Sequence, residues 1–185
     1  DWENTEINAS LFGLDVSYKA TDKLTATIGF ELQSGQSQTD TTKSYNEVNH
    51  SFTPFYGTNH KFNGFMDYFY VGNHIGSVGL QDIFFKLKYK TDKFFIGADI
   101  HLFSAVADVR DYSDTTGISA MGSGLGTEID LVGGFKLSKG VTFKAGYSQM
   151  FGTKTLEALK GGDYKQTSNW AWMMIIIKPA FFKGE

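Results

Sequence analysis

The chain contains no cysteine, which removes disulfide frameworks, thiolate zinc sites and cysteine nucleophiles. Proline is also scarce, with two residues against 21 glycines, a balance suited to sheets joined by tight turns. No run of about 18 apolar residues occurs, so a transmembrane helix is excluded. A transmembrane barrel is not, because its alternating strands average towards neutral, and the mean hydropathy here is -0.23. Excess positive charge is missing too: a net charge of -3 and a pI of about 5.8 speak against a nucleic-acid partner. Asp1-Trp2-Glu3-Asn4 offers neither a basic start nor an apolar stretch. No signal peptide is legible, so the protein is either cytoplasmic or begins further upstream.

What is present is a period of two. Phe12, Leu14, Val16 and Tyr18 alternate with Gly13, Asp15, Ser17 and Lys19, and after a short polar turn Leu24, Ala26, Ile28, Phe30 and Leu32 alternate with Thr25, Thr27, Gly29, Glu31 and Gln33. The same pattern predicts strands over Leu80–Lys90, Phe94–Phe103, Glu128–Lys136 and Val141–Ser148, and an apolar run over Trp170–Ile177 gives a seventh. Turns after the first, third and fifth strands are short. The connections after the second, fourth and sixth are long, so long loops gather at one end of the sheet and tight turns at the other. That asymmetry is expected of an antiparallel up-and-down transmembrane β-barrel, and Tyr18, Tyr89 and Phe94 beside the short turns suit an interfacial aromatic girdle. A soluble β-sandwich binding module shows the same alternation and stays open as an alternative. Bacterial single-chain barrels have an even number of strands, at least eight. Seven strands over residues 1–185 therefore predict one barrel segment, the C-terminal part of a longer chain.

The charged residues alternate with the apolar ones. If the apolar faces meet lipid, Asp15, Lys19, Glu31, Asp82, Lys86, Lys88, Asp99, His101, Glu128, Asp130, Lys136 and Lys144 line the pore. Lys86 and Lys88 are expected across from Asp99 and His101, and Glu128 and Asp130 across from Lys144. Such ladders either satisfy one another or set up a field that orients dipolar solutes. Catalysis has one candidate, Glu128 with Asp130, since i and i+2 carboxylates on a strand approach the separation of roughly 6.5 Å used by inverting glycosidases. Lumen charge is the commoner use of such a pair, and no enzyme is predicted.

His50, His60, His74 and His101 lack metal-ligand spacing, and no HExxH or Ser-His-Asp pattern occurs. Asp108, Asp111 and Asp114, three apart in a Gly/Ser-rich loop, leave Ca2+ binding open without the glycine and glutamate of an EF-hand. Gly122-Ser123-Gly124-Leu125-Gly126 leads into a strand rather than a helix and is no phosphate cradle. No cofactor or metal is expected.

Residues 34–79 form the longest predicted connection. Ser34–Asn49 is polar and reads as an exposed loop. Phe52–Gly72 is far too aromatic for a solvated linker. Its place among the long loops predicts a plug or constriction at the pore mouth, with Tyr56, Phe65 and Tyr68 narrowing the entrance and His60, Lys61 and Asp67 available to solute.

The segments Phe52-Thr53-Pro54-Phe55-Tyr56-Gly57-Thr58-Asn59-His60-Lys61-Phe62 and Gly64-Phe65-Met66-Asp67-Tyr68-Phe69 resemble the alginate-export family of porin-like outer-membrane channels. The similarity extends to Gly79-Leu80-Gln81-Asp82 and to the closing run from Trp172 to Phe182. The resemblance implies a barrel of about eighteen strands with an aqueous lumen, in the outer membrane of a Gram-negative-type cell. It further implies passive passage of a small polar solute, anionic or saccharide. The family's Arg-rich constriction has no counterpart, because Arg110 is the one arginine, so alginate itself is not implied. A barrel sealed by its loops, with a structural or enzymatic role, is the other reading.

Overall fold

A computed structural model describes residues 6–70, 72–115 and 119–179. Its elements are β1 (Glu6–Ile7), β2 (Leu11–Lys19), β3 (Leu24–Gln33), α1 (Lys43–Asn46), β4 (Val48–Asn49), β5 (Leu80–Lys90), β6 (Phe94–Ser104), β7 (Gly124–Ser138), β8 (Val141–Gly152), α2 (Lys154–Lys160) and β9 (Ser168–Ile177). Seven strands form one antiparallel meander, β2-β3-β5-β6-β7-β8-β9, while β1 and β4 make a two-residue parallel pair. The sheet does not close on itself: among the described residues β2 and β9 are its two edges.

All seven expected strands are present. Those of the first two hairpins start and stop where the alternation does, give or take a residue, but β7 and β8 run on past the predicted ends towards the long loops. The echo between the first two tight turns has a physical basis. The Thr21 hydroxyl accepts the amides of Lys23 and Leu24, and the Thr91 hydroxyl accepts those of Lys93 and Phe94. Each Thr-Asp-Lys turn is thus closed by its own side chain. Gly140, at φ 78, takes the left-handed position in the third.

Two predicted loops carry more structure than expected. The first part of Ser34–Asn49 is packed: Gln36 donates to Ser77 O and Gln38 to Asp108 O, and a Cβ on Gly35 would run into the Val78 backbone; residues 41–44, with Asn46 and Glu47, are exposed as expected. Between Gly152 and Thr167 lies α2, capped by the Thr153 hydroxyl, which accepts the Leu156 amide.

The polarity of the sheet is reversed relative to a soluble core. Large apolar side chains on one face stand exposed, Val16 and Ile28 at 61%, Ile96 at 56% and Ile175 at 62%. On the other face Asp82, His101, Glu128 and Asp130 are buried, none above 1%, beneath the connection between β3 and β5, which folds over that face. The apolar core lies on this side too, where Phe69 and Val78 from the connection meet Leu80, Phe103, Leu125, Met150 and Leu156.

Candidate functional site: a loop anchored on the charged wall

Strand pairing sets the charged face out as a grid. Glu31 faces Asp82, Lys86 faces Asp99, Asp99 faces Asp130, and His101 faces Glu128. Two expected pairings are corrected by this register. Lys88 lies opposite Thr25 and Gly97 rather than His101, and Lys144 lies opposite Gly134, away from Glu128 and Asp130, whose neighbours on β8 are Met150 and Ser148. Each strand advances the register by whole pairs, so an assumed partner two residues off puts a charge on the wrong row.

Lys86 and Asp99 do meet, at 3.5 Å. His101 Nδ1 reaches the Asp82 carboxylate at 2.9 Å with both groups buried. Lys144 spreads over the Phe95 ring, 5.6 Å from its centroid. Asp15, on the edge strand and exposed, faces Gly29. Lys88 is exposed as well.

The central carboxylates are held by the loop. At its tip His60, Asn63, Gly64 and Asp67 all have positive φ, a cluster that only a strongly constrained turn keeps. The Asp67 carboxylate accepts the His60 amide at 2.7 Å and lies 3.0 Å from His60 Nδ1, closing the turn. This aims two consecutive backbone amides at the wall: Phe65 and Met66 donate to Glu128 Oε1 at 2.6 and 2.8 Å, and Phe65 lies 3.3 Å from Asp130 Oδ2. Gly64 permits the approach, because a Cβ there would fall 2.5 Å from the Glu128 carboxylate. Beside it, Asn63 Nδ2 donates to Glu31 and Asp82, and Gln33 also donates to Glu31. Glu31, Asp82, Glu128 and Asp130 thus take backbone or side-chain amide donors of the tip, whereas Asp99 pairs with Lys86 and Asp82 also with His101 across strands, and Asp15 stands exposed. The geometry is equally unlike a glycosidase pair, since Glu128 and Asp130 share loop donors instead of flanking an open cleft.

Other contacts extend the anchorage. The His60 ring stacks on Trp170 of β9, centroids 4.3 Å apart, and Tyr68 Oη meets Ser168 Oγ at 2.7 Å. Lys160 Nζ, from α2, donates to Asn73 O at 2.6 Å. Burial pushes its ammonium down to about 8. His74, buried beside Phe69, meets the Gly79 carbonyl through Nε2 at 3.1 Å. Burial, reinforced by the Lys160 charge, holds its imidazole down to about 4, so it is neutral near pH 7.

Among the expected mouth residues, His60, Phe65, Asp67 and Tyr68 come together at the tip. Lys61 lies over the Phe62 ring on the outside, and Tyr56 is 94% exposed. Between this loop and the β2–β3 edge is a cavity of about 220 Å3 whose lining includes Tyr56, Glu31, Gln33, Asn63 and His74.

Arg110 belongs to the connection after β6, its guanidinium over the Tyr112 ring. Asp108, Asp111 and Asp114 do not converge. Asp108 accepts from Thr39, Asp111 from Ser113 and Asp114 from Ser119, and among the described residues no group of three His or acidic side chains is placed to hold a metal. Phe181 and Phe182 lie outside the described residues.

The sequence reading missed the amides of Phe65 and Met66, along with Gly64, Trp170 and Lys160. The Asn63-Gly64 dipeptide carried a signal, being a pair that accepts left-handed backbone in tight turns.

No family model matches this chain, and no curated protein is similar to it at a significant level.

Proposed function

We propose that this chain is part of the wall of an outer-membrane β-barrel channel, with its apolar face against lipid and its charged face towards a lumen narrowed by the connection between β3 and β5. One observation carries the reading: the large apolar side chains stand on the open face while Asp82, His101, Glu128 and Asp130 are covered. A continuous apolar face of this size is a liability in water, where exposed patches rarely exceed a few hundred Å2. In a bilayer it is required. Strand length supports the same reading, since β5 and β6 have 11 residues each. At about 3.3 Å per residue and a tilt near 45° they rise through roughly 25 Å of hydrocarbon.

Further strands pair with the edges of β2 and β9 to complete the barrel. Transport is diffusive, without a cofactor, and the solute is small and polar, anionic or saccharide, as in the alginate-export channels that the loop segments resemble. Planar-bilayer recording tests this: reconstituted protein should give stepwise currents. A folded, inserted protein that never conducts would refute the channel and favour the sealed barrel, a reading the pinned tip also supports. A chain that folds and stays soluble without detergent would refute both.

A further inference from the structure

The open apolar face is not uniform. Towards the tight turns it is hollowed into a groove of about 830 Å3, within the size range of ligand clefts. Its floor comes from small residues on three adjacent strands, Ala98, Gly133 and Ala145. Aromatic side chains wall it: Tyr89 with Phe94, centroids 5.9 Å apart, and Phe135 with Phe143, 5.4 Å apart. A membrane wall needs only a band of bulky side chains, and their replacement by glycine and alanine at one spot makes room for an elongated apolar guest.

The rim of the groove tells which guest. Lys93 directly precedes Phe94, and its carbonyl accepts the Lys136 amide; Lys139 occupies the next turn, and Lys178 donates its amide to Gly140 O. Lys93, Lys139 and Lys178 lie in or beside the tight turns at this end, with Asp92 the neighbouring acidic residue, while Lys90 and Lys136 alternate onto the charged face. An apolar trough ending in a cluster of ammonium groups has the charge pattern of a lipid acyl chain that continues into an anionic headgroup. The tight-turn end of an outer-membrane barrel is its periplasmic end, where the leaflet is built of phospholipid.

We infer that this groove is a binding site for an anionic phospholipid, one acyl chain lying over Gly133 and Ala145 and the phosphate among the turn lysines. The inference rests on the membrane reading above.

The test is native mass spectrometry of the protein in detergent with equal amounts of phosphatidylglycerol and phosphatidylcholine of the same chains, together with reconstitution into vesicles. One phosphatidylglycerol should stay bound, with at least tenfold preference. Gly133→Leu should abolish that adduct. A Cβ at Gly133 meets nothing nearer than the Phe95 carbonyl oxygen at 3.6 Å, so the side chain fills the groove without disturbing the sheet. Lys93→Glu with Lys139→Glu should equalise the two lipids. Equal binding by the wild-type protein would overturn the proposal, as would an unchanged adduct in a folded Gly133→Leu protein. A dimer that Gly133→Leu dissolves would overturn it in favour of a second copy of the chain. Insertion and conductance without lipid preference would sink this inference alone, whereas failure to insert would sink the membrane reading with it.

Discussion

Replacing Glu128 tests how the loop is held. Its Oε1 accepts two backbone amides, Phe65 at 2.6 Å and Met66 at 2.8 Å, and its side chain is fully buried. A hydrogen bond contributes about 0.5–1.5 kcal/mol, and a buried donor left without its acceptor costs about 1–3 kcal/mol. Glu128→Ala therefore weakens the tip by about 3 kcal/mol, because it strips the Met66 amide of its acceptor and leaves Phe65 only the 3.3 Å contact with Asp130. Glu128→Gln keeps an acceptor of the same reach, and neutral bonds of about 1 kcal/mol each retain part of the anchorage.

Local opening of residues 60–67 should rise about a hundredfold in the alanine variant, since about 1.4 kcal/mol corresponds to a factor of ten. Amide hydrogen exchange reads this at Phe65 and Met66. Their protection should fall by about two decades in Glu128→Ala and by much less in Glu128→Gln, while the β3, β5 and β6 amides stay protected. In bilayers the alanine variant should show larger or more frequent open levels. If Phe65 and Met66 exchange within a few-fold of wild type in a folded Glu128→Ala protein, the carboxylate does not hold the loop and the account of the tip is wrong.

The remaining predictions use charge. His74 is held neutral with its acid constant down to about 4, against an ordinary 6.5. The unfolded chain therefore binds the proton first, and stability should be level above pH 6.5, fall between 6.5 and 4, and flatten below. The full loss is about 3 kcal/mol for this one group. Urea unfolding against pH should show it, and His74→Gln should flatten that part of the profile; an unchanged profile would mean the ring is hydrated. Because the Lys160 charge helps to depress His74, Lys160→Met should move the His74 titration upwards, measured by NMR of the ring. Charge reversal of Lys86 and Lys88 together should shift the reversal potential in a salt gradient towards cations. No shift would mean that these side chains do not face the conducting path.

Period-two alternation was enough to locate the strands because large apolar side chains stand on one face of the sheet and polar or small ones on the other, so identity tracks position residue by residue. Register was not legible at the same level. Lys86 and Asp99 fall opposite each other as expected, but Lys144 and Glu128 do not, because the Ser138-Lys139-Gly140 turn, with a register irregularity between Lys136 and Ser138, sets the offset of β8. The helix α2 was signalled by Thr153 before Lys-Thr-Leu-Glu-Ala-Leu-Lys and Gly161 after it, a capped run of good helix formers, yet it is too short for periodicity to stand out. The anchoring of the tip was invisible in composition, since its donors are main-chain amides that every residue but proline carries. Only the Asn63-Gly64 pair marked where the backbone turns them towards the wall.

That anchoring also bears on which solute the lumen favours. Carboxylates and lysines both line the charged face, and side-chain counting left the sign of its field undecided. In the folded chain Asp15 stays exposed on the edge strand, and the other carboxylates at mid-height are engaged: Glu31 by Gln33 and Asn63, Asp82 by His101 and Asn63, Asp99 by Lys86, and Glu128 and Asp130 by loop amides. Asp82, Glu128 and Asp130, buried under the tip, act as structural acceptors, and on the channel reading they contribute little to the field in the open part of the lumen. The side chains of Lys88 and Lys144 lie nearer the tight turns and have no carboxylate within ion-pair distance among the described residues. On the channel reading, a solute beyond the constriction and away from Asp15 meets ammonium groups in preference to carboxylates, and anions should gain from that field. Loosening the tip should weaken the preference, because lifting Gly64 away from Glu128 uncovers acid: in Gly64→Val, whose Cβ has no room beside Glu128, anion selectivity should drop as conductance rises. Selectivity that stays fixed while conductance rises would show that carboxylates released from the tip add nothing to the field, against the reasoning given.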